Sequence, residues 1–320
     1  MTDLTIDQLG ELVQQHFAAQ TYQEGLALTG AALLTLPESY PLINYWRACF
    51  AARLGDIPLA CQILESTLAN GAWYSEMILR QSPSFADLQG EALFENVAAI
   101  SQQMQEADPV DSLPLVILRP KDACAPEQPG CPAVVFLHGN QDNVQANLPR
   151  WTQLSLAGWL VAMPQSSRAL WAGAYSWADY ETAAEEVTAA YANLGRQYSV
   201  DPEQVVLAGF SMGAEVALAL ALSGRIQCQG FILLGPGGPF MDDLEKWQPL
   251  LESAEELGLR GLIITGSADT TIPHDNISEL VQRLNQHGVT TELEVHPDLQ
   301  HEYPGDFDDR LEYALKYIFG

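Results

Sequence analysis

An all-α region followed by an α/β domain with a mainly parallel sheet is the fold class that the sequence predicts. Three observations predict it. Residues 1 to about 107 carry apolar residues at three- and four-residue spacing, whereas from about 108 to 320 short apolar runs alternate with helical stretches. Between them lies "EADPVDSLP", residues 106–114, acidic and proline-bearing, which reads as a linker. The first spacing is that of amphipathic helices. Strands alternating with helices imply a parallel sheet covered on both faces. The expected domains are 1–107 and 108–320.

In the first region "TIDQLGELVQQHFAA", "YQEGLALTGAALLTL", "INYWRACFAARLG" and "IPLACQILESTLANG" read as successive helices, punctuated by Pro37, Pro41, Gly55-Asp56 and Gly71. Asp56 is the expected N-cap of the fourth, with Pro58 in its first turn. Gly25, Thr29, Ala32 and Pro37 are echoed 35 residues on by Ala60, Leu64, Thr67 and Ala72. Small residues there let paired helices pack closely. The period and "ACFAARLGD" resemble a tetratricopeptide repeat, although most of its aromatic signature is missing; a plain helical bundle is the alternative. Such a region can bind a protein partner, mediate self-association or cover a neighbouring active site.

In the second region "LPLVILRP", "AVVFLHG", "WLVAMPQ", "QVVLAGF", "GFILLGPG", "RGLIITGS" and "TTELEVHP" read as strands. The expected helices are "NVQANLPRWTQLSLAG", "ADYETAAEEVTAAYANLGRQY", "MGAEVALALALSG", "PHDNISELVQRLNQHG" and "DFDDRLEYALKYIFG". In such a sheet, the loops at the carboxyl ends of the strands gather along one edge, where ligands bind.

Composition excludes several functions. With 14 basic and 41 acidic residues and a formal charge of −27, the chain has no phosphate-tracking surface for nucleic acid and is repelled by anionic membranes. The acidic start "MTDLTIDQLGELVQQ" is not a signal peptide, and no stretch approaches the roughly 20 apolar residues of a membrane span. Cys49, Cys61, Cys124, Cys131 and Cys228 are odd in number and lack metal-ligand spacing. Free thiols, Cys124 and Cys131 included, and a cytoplasmic location are expected, with a local Cys124–Cys131 bridge as the alternative.

The candidate chemistry lies on the strand-end loops. Ser211, in Gly209-Phe210-Ser211-Met212-Gly213, follows a strand and opens a helix, the setting of a nucleophile elbow. Side chains at 209 and 213 would strike neighbouring backbone in so tight a turn. A serine needs a base, and the base a group to orient it. Asp269 follows the strand "LIITGS", and His301 follows the last strand, so all three fall on one edge in the chain order Ser, Asp, His. His296 is the runner-up base and His274 a weaker one, while Asp298 and Asp275 are weaker acids. His16, His287 and His138 read as structural. For an oxyanion, the Met212 N–H is one expected donor and the Asn140 N–H the second, with Gln141 as the alternative.

Leu137-His138-Gly139, the five-residue elbow, Gly266-Ser267-Ala268-Asp269 with Ile272-Pro273, and His301-Glu302-Tyr303 together resemble an α/β-hydrolase of the phospholipase/carboxylesterase or dienelactone-hydrolase-like branch, over about two thirds of the chain. The resemblance implies a serine esterase, acting on a small-molecule ester without metal or organic cofactor. Two features depart from relatives: dienelactone hydrolases are expected to use a cysteine nucleophile, and prolyl-oligopeptidase relatives carry an amino-terminal β-propeller. Trp171, Tyr175, Trp177 and Phe240, in the loops 164–181 and 234–240, are the expected pocket walls. Two other functions stay open: a catalytically silent binding protein working through its helical region, and a peptidase.

Overall fold

A computed structural model describes residues 4–108 and 115–320. The chain divides into two compact units, Met1–Ser112 with Ala169–Gly173, and Leu113–Arg168 with Ala174–Gly320. The linker expected at 106–114 lies, from 109 on, outside the described residues. A single cut in the sequence misses the short segment 169–173, which belongs with the first unit.

The first unit contains the helices α1 (Ile6–Ala18), α2 (Tyr22–Ala32), α3 (Tyr40–Arg53), α4 (Ile57–Ala69), α5 (Glu76–Gln81) and α6 (Ala92–Glu106). Thr5 and Gln8 form a reciprocal capping box at α1, and the Asp56 carboxylate accepts from the Leu59 N–H to start α4. The echoed small positions Gly25, Thr29, Ala60 and Thr67 are all buried. Asn44 donates to Thr67 across α3 and α4 at 3.0 Å, which satisfies two buried polar side chains together. Residues 169–173 join this unit through the extended segment 73–75: the Ser75 N–H donates to the Leu170 carbonyl and the Ala172 N–H to that of Trp73.

The second unit is a seven-stranded sheet. Its strands are β1 (Leu115–Leu118), β2 (Cys131–Leu137), β3 (Leu160–Pro164), β6 (Val200–Phe210), β7 (Gly230–Leu234), β8 (Arg260–Gly266) and β9 (Thr290–His296), in the order β1-β3-β2-β6-β7-β8-β9. Only β1 is antiparallel to its neighbour. Two short extra strands, β4 (Ala169–Trp171) and β5 (Ala174–Tyr175), lie in what reads from sequence as plain loop. Helices α7 (Val144–Leu156) and α12 (Phe307–Phe319) cover one face; α8 (Tyr180–Gln197), α9 (Met212–Leu222), α10 (Gln248–Ala254) and α11 (His274–Gln286) cover the other.

The near-continuous apolar strands follow from this two-sided burial. Val134, Phe136, Val206, Ala208 and Ile232 face Trp151 of α7 and Phe307 of α12. Their alternate neighbours Val135, Leu137, Val205, Leu207 and Leu233 pack in one cluster with the apolar residues 216–222 of α9 and its companions. The chain leaves β2 for β3 on one side and reaches β6 on the other. The carboxyl ends of β2 and β6, paired at Leu137 and Gly209, are therefore the switch point of the topology. Among the described residues no helix is long and apolar enough to cross a membrane.

The expectation of free thiols fails at one pair. Cys124 and Cys131 form a disulfide, with Cα atoms 5.5 Å apart, closing the loop that leads into β2; Cys49, Cys61 and Cys228 are free and buried. Odd cysteine number argued against a framework, but a local bridge needs only two residues brought together by a turn. Replacing both by serine is expected to lower unfolding stability by about 2 kcal/mol through the unfolded chain's regained freedom. Urea unfolding reads this as a lower midpoint at similar slope; an unchanged midpoint would show that the bridge adds nothing.

Candidate active site

Ser211 stands at φ 52°, ψ −121°, between the end of β6 and the first residue of α9. A non-glycine residue at this backbone setting is strained, and strain of this kind gathers at functional turns. Two glycines make the turn fit. A Cβ at Gly209 would strike the Gly213 carbonyl, and one at Gly213 would strike the Leu137 and His138 carbonyls. The helix thus starts directly over the end of β2. The Ser211 backbone is held from both sides: its N–H donates to the Leu234 carbonyl, and its own carbonyl accepts from the Gly237 N–H.

Asp269 and His301 meet at this edge. The His301 Nδ1–H donates to Asp269 Oδ2 at 2.7 Å, while Asp269 Oδ1 accepts the Thr271 and Ile272 N–H groups at 2.9 and 3.0 Å. The side chains are 2% exposed for Asp269 and 11% for His301. Burial pushes the Asp269 carboxyl up, but the bond to His301, the imidazole's charge and the two N–H donors outweigh it and hold the group below its ordinary value. A proton fixed on Nδ1 leaves Nε2 as the basic nitrogen. Nε2 is buried and has no hydrogen-bond partner among the described residues. Phe210 packs on the His301 ring at 4.9 Å and stacks on Tyr303 at 5.1 Å, and Tyr303 is anchored by donating to Asn147 at 2.8 Å.

The other titratable candidates lie elsewhere. His296 pairs with Glu294, His274 contacts Ser278 and His287 contacts Glu255. Asp275 is in the first turn of α11, and Asp298 turns the loop after β9 at φ 58°. His138 is fully buried. Its Nε2 accepts from Gln165 and from the Ser166 N–H, so its proton sits on Nδ1 and is donated to the Gly139 carbonyl at 2.8 Å. Burial lowers its pKa to about 4, which keeps it neutral.

The Met212 N–H, at the free amino end of α9, and the Asn140 N–H have no protein acceptor among the described residues. Gln141 drops out as the alternative, because its N–H donates to the Tyr175 carbonyl at 2.8 Å. Of the aromatic walls expected from sequence, Trp171 is buried within the first unit, and its backbone bridges to Tyr74. Tyr175 is 1% exposed. Trp177 is 2% exposed, donates to the His138 carbonyl and packs on that imidazole, although it also borders a cavity of about 250 Å³ beside Arg168 and Ser176. Phe240 is half-buried against Tyr180 and Trp247. Trp171, Tyr175 and Trp177 are core, burying the segment whose backbone is paired to Trp73, Ser75, Gln141 and Asp142.

The family comparison follows from this geometry. Residues 161–314 match the dienelactone hydrolase family. The second unit has the α/β-hydrolase fold. An uncharacterized protein from Bacillus cereus is similar over 98% of this chain and 99% of its own, at 23% identity and a TM-score of 0.55. Esterase PE8 aligns with 65% of this chain over 100% of its own, at 21% identity and a TM-score of 0.52. Acyl-protein thioesterase 2 of Zea mays aligns with 64% over 99% of its own, at 19% and 0.50. No curated protein matches the sequence.

Sequence reading missed Glu215. It lies one turn into α9, is 3% exposed, and its Oε2 accepts the Phe240 and Met241 N–H groups at 3.0 and 2.9 Å. An acid in the first turn of a helix ordinarily signals only a favourable dipole contact. The available signal was its position in the otherwise all-apolar run 212–222. Burial raises its pKa from 4.5 to about 7, against the pull of the two N–H donors. Below pH 4.5 the folded and unfolded chains both carry the proton; between 4.5 and 7 the unfolded chain releases it first. The group's contribution to stability is therefore lost as pH rises through this window, on the order of 3 kcal/mol. Relative to Glu215→Gln, the wild type is expected to lose urea-unfolding stability between pH 5 and 8, and a pH-independent difference would contradict this assignment.

Proposed function

We propose that the second unit hydrolyses carboxylic esters through an acyl-enzyme on Ser211. The observation that carries the reading is the short, buried Asp269–His301 bond beside a serine held in a strained turn. His301 Nε2 takes the Ser211 proton as Oγ bonds to the ester carbonyl carbon. Asp269 holds the imidazole tautomer and stabilises the imidazolium. The Met212 and Asn140 N–H groups receive the oxyanion, each worth about 3 kcal/mol by comparison with measured oxyanion donors. The carbon–oxygen bond to the leaving alcohol then breaks, and His301 protonates the alcohol. Water repeats the sequence and releases the acid.

Support for an ester over a peptide comes from the family match to residues 161–314; proteins of like fold include esterases and dipeptidyl peptidases alike. A silent binding protein would have no chemical need to keep Ser211, Asp269 and His301 together. The Cys124–Cys131 bridge weighs against a reducing cytoplasm as the working compartment.

Hydrolysis of p-nitrophenyl esters from acetyl to dodecanoyl should show turnover that disappears in Ser211→Ala, with the preferred chain length sizing the pocket. Equal, negligible rates in both proteins would count against the esterase reading. In Asp269→Asn the imidazole loses its orienting carboxylate, and kcat is expected to fall about three to four orders of magnitude at pH 7.

A further inference from the structure

We infer that Glu215 is a positioning residue for this site, its carboxylate fixing the loop 235–241 that seats the His301 imidazole. This rests on the reading of Ser211 and His301 given above and extends it. The loop "GPGGPFM" leaves the end of β7 and passes between the serine turn and the Asp269–His301 pair. Its first residue, Gly235, at φ +47°, is hydrogen-bonded to the Ile264 carbonyl, and a Cβ there would lie 3.0 Å from His301 Cε1 and 3.6 Å from Asp269 Oδ2. Two residues on, the Gly237 N–H donates to the Ser211 carbonyl. At the far end, Phe240 and Met241 give both their N–H groups to one oxygen of Glu215. The other oxygen lies against Gly238, where a Cβ would be 2.6 Å away.

The loop is thus pinned at one end to the strand beneath Asp269 and at the other to a carboxylate on the serine's own helix. The imidazole rests on Gly235 at the first of these pins, and the Ser211 carbonyl is held by Gly237 between them. A neutral side chain at 215 could fill the space, but only an anion binds two N–H groups on one oxygen with charge-assisted strength. The groups facing Glu215 from this loop and its continuation are Asp242, which disfavours the anion, and Lys246, which favours it and also donates to the Pro239 carbonyl. Burial raises the carboxyl to about 7, so the loop's anchor gains or loses its charge near neutral pH. A purely structural carboxylate would change stability and leave the activation of Ser211 alone.

The test measures the rate at which a fluorophosphonate labels Ser211, by intact mass, between pH 5 and 9, in wild type, Glu215→Gln and Ser211→Ala. This readout does not depend on knowing the natural ester. Glu215→Gln should label roughly tenfold more slowly at pH 8, the cost of a slightly misplaced imidazole. Its acid limb should follow one proton, where the wild type loses reactivity with two. The wild-type limb alone is a second measurement that needs no variant to fold. Labelling of Glu215→Gln at the wild-type rate, or a one-proton limb in both proteins, overturns the inference and leaves Ser211 as nucleophile intact. Failure of the wild type to label, or labelling of Ser211→Ala at the wild-type rate, overturns the nucleophile reading, and the role of Glu215 with it.

Discussion

Everything at the catalytic edge depends on one close approach: the start of α9 lying directly on the carbonyls of Leu137 and His138. Only a residue without a side chain fits at 213, and only one fits at 209 beneath it. With both in place, β6 can turn into a helix within a single residue. That residue, Ser211, takes up the strained backbone. The same approach brings the first free N–H of the helix beside the loop after β2, where Asn140 begins. Ser211 and the Met212 N–H both move with the helix, so the geometry of the turn and that of the proposed oxyanion site are one constraint.

The constraint is passed on through neutral and charged groups differently. His138, locked by Gln165, Ser166 and the Gly139 carbonyl, ties the ends of β2 and β3 together without carrying charge. Asp269 and Glu215 are both buried carboxylates near the site, yet their environments push them apart. Asp269 is met by an imidazole as well as two N–H groups and is held ionised. Glu215 has two N–H groups, no cation in hydrogen-bond contact, and an acid nearby, so burial wins. Two carboxylates driven in opposite directions within one site fit different purposes: in the proposed reaction one orients the base, the other holds a loop.

How much of this was legible in the sequence follows from where the determining physics is local. Apolar runs between helices identify the five inner strands, because burial on both faces writes itself directly into composition; the half-exposed edge strands β1 and β9 are marked by their place in the alternation of strand and helix. The serine turn, Asp269 and His301 were legible because chain order and strand ends fix the edge on which they sit. The β4–β5 segment was not, since three or fewer residues per strand leave no periodicity, and its aromatics read equally well as pocket or packing. The Cys124–Cys131 bridge depends on a loop conformation, with Cys124 at φ 64°, that spacing alone does not specify. Gln141 stood as the alternative donor to Asn140, and the Tyr175 carbonyl that occupies its N–H is a contact between distant loops that sequence does not announce. Glu215 was hidden because its partners are backbone groups some 25 residues away, which no side-chain pattern announces.

In the proposed reaction, a serine at position 211, where dienelactone hydrolases are expected to carry cysteine, gives the loop 235–241 its purpose. A thiol at a helix amino terminus is readily drawn below neutral pKa and can be reactive before its base is perfectly aligned. A serine hydroxyl does not ionise in water near neutrality, so its nucleophilicity exists only while an imidazole stands in line to take the proton. The exchange of sulfur for oxygen therefore moves the demand from electrostatics at the nucleophile to the placement of the base. In this chain that placement is supported on three sides: Asp269 holds Nδ1, Phe210 packs on the ring, and Gly235 lies beneath it. The third support is backbone, and backbone in a glycine-rich loop is stiff only where something grips it. Glu215 grips it from the helix that Ser211 opens, so nucleophile and base are referred to the same rigid element.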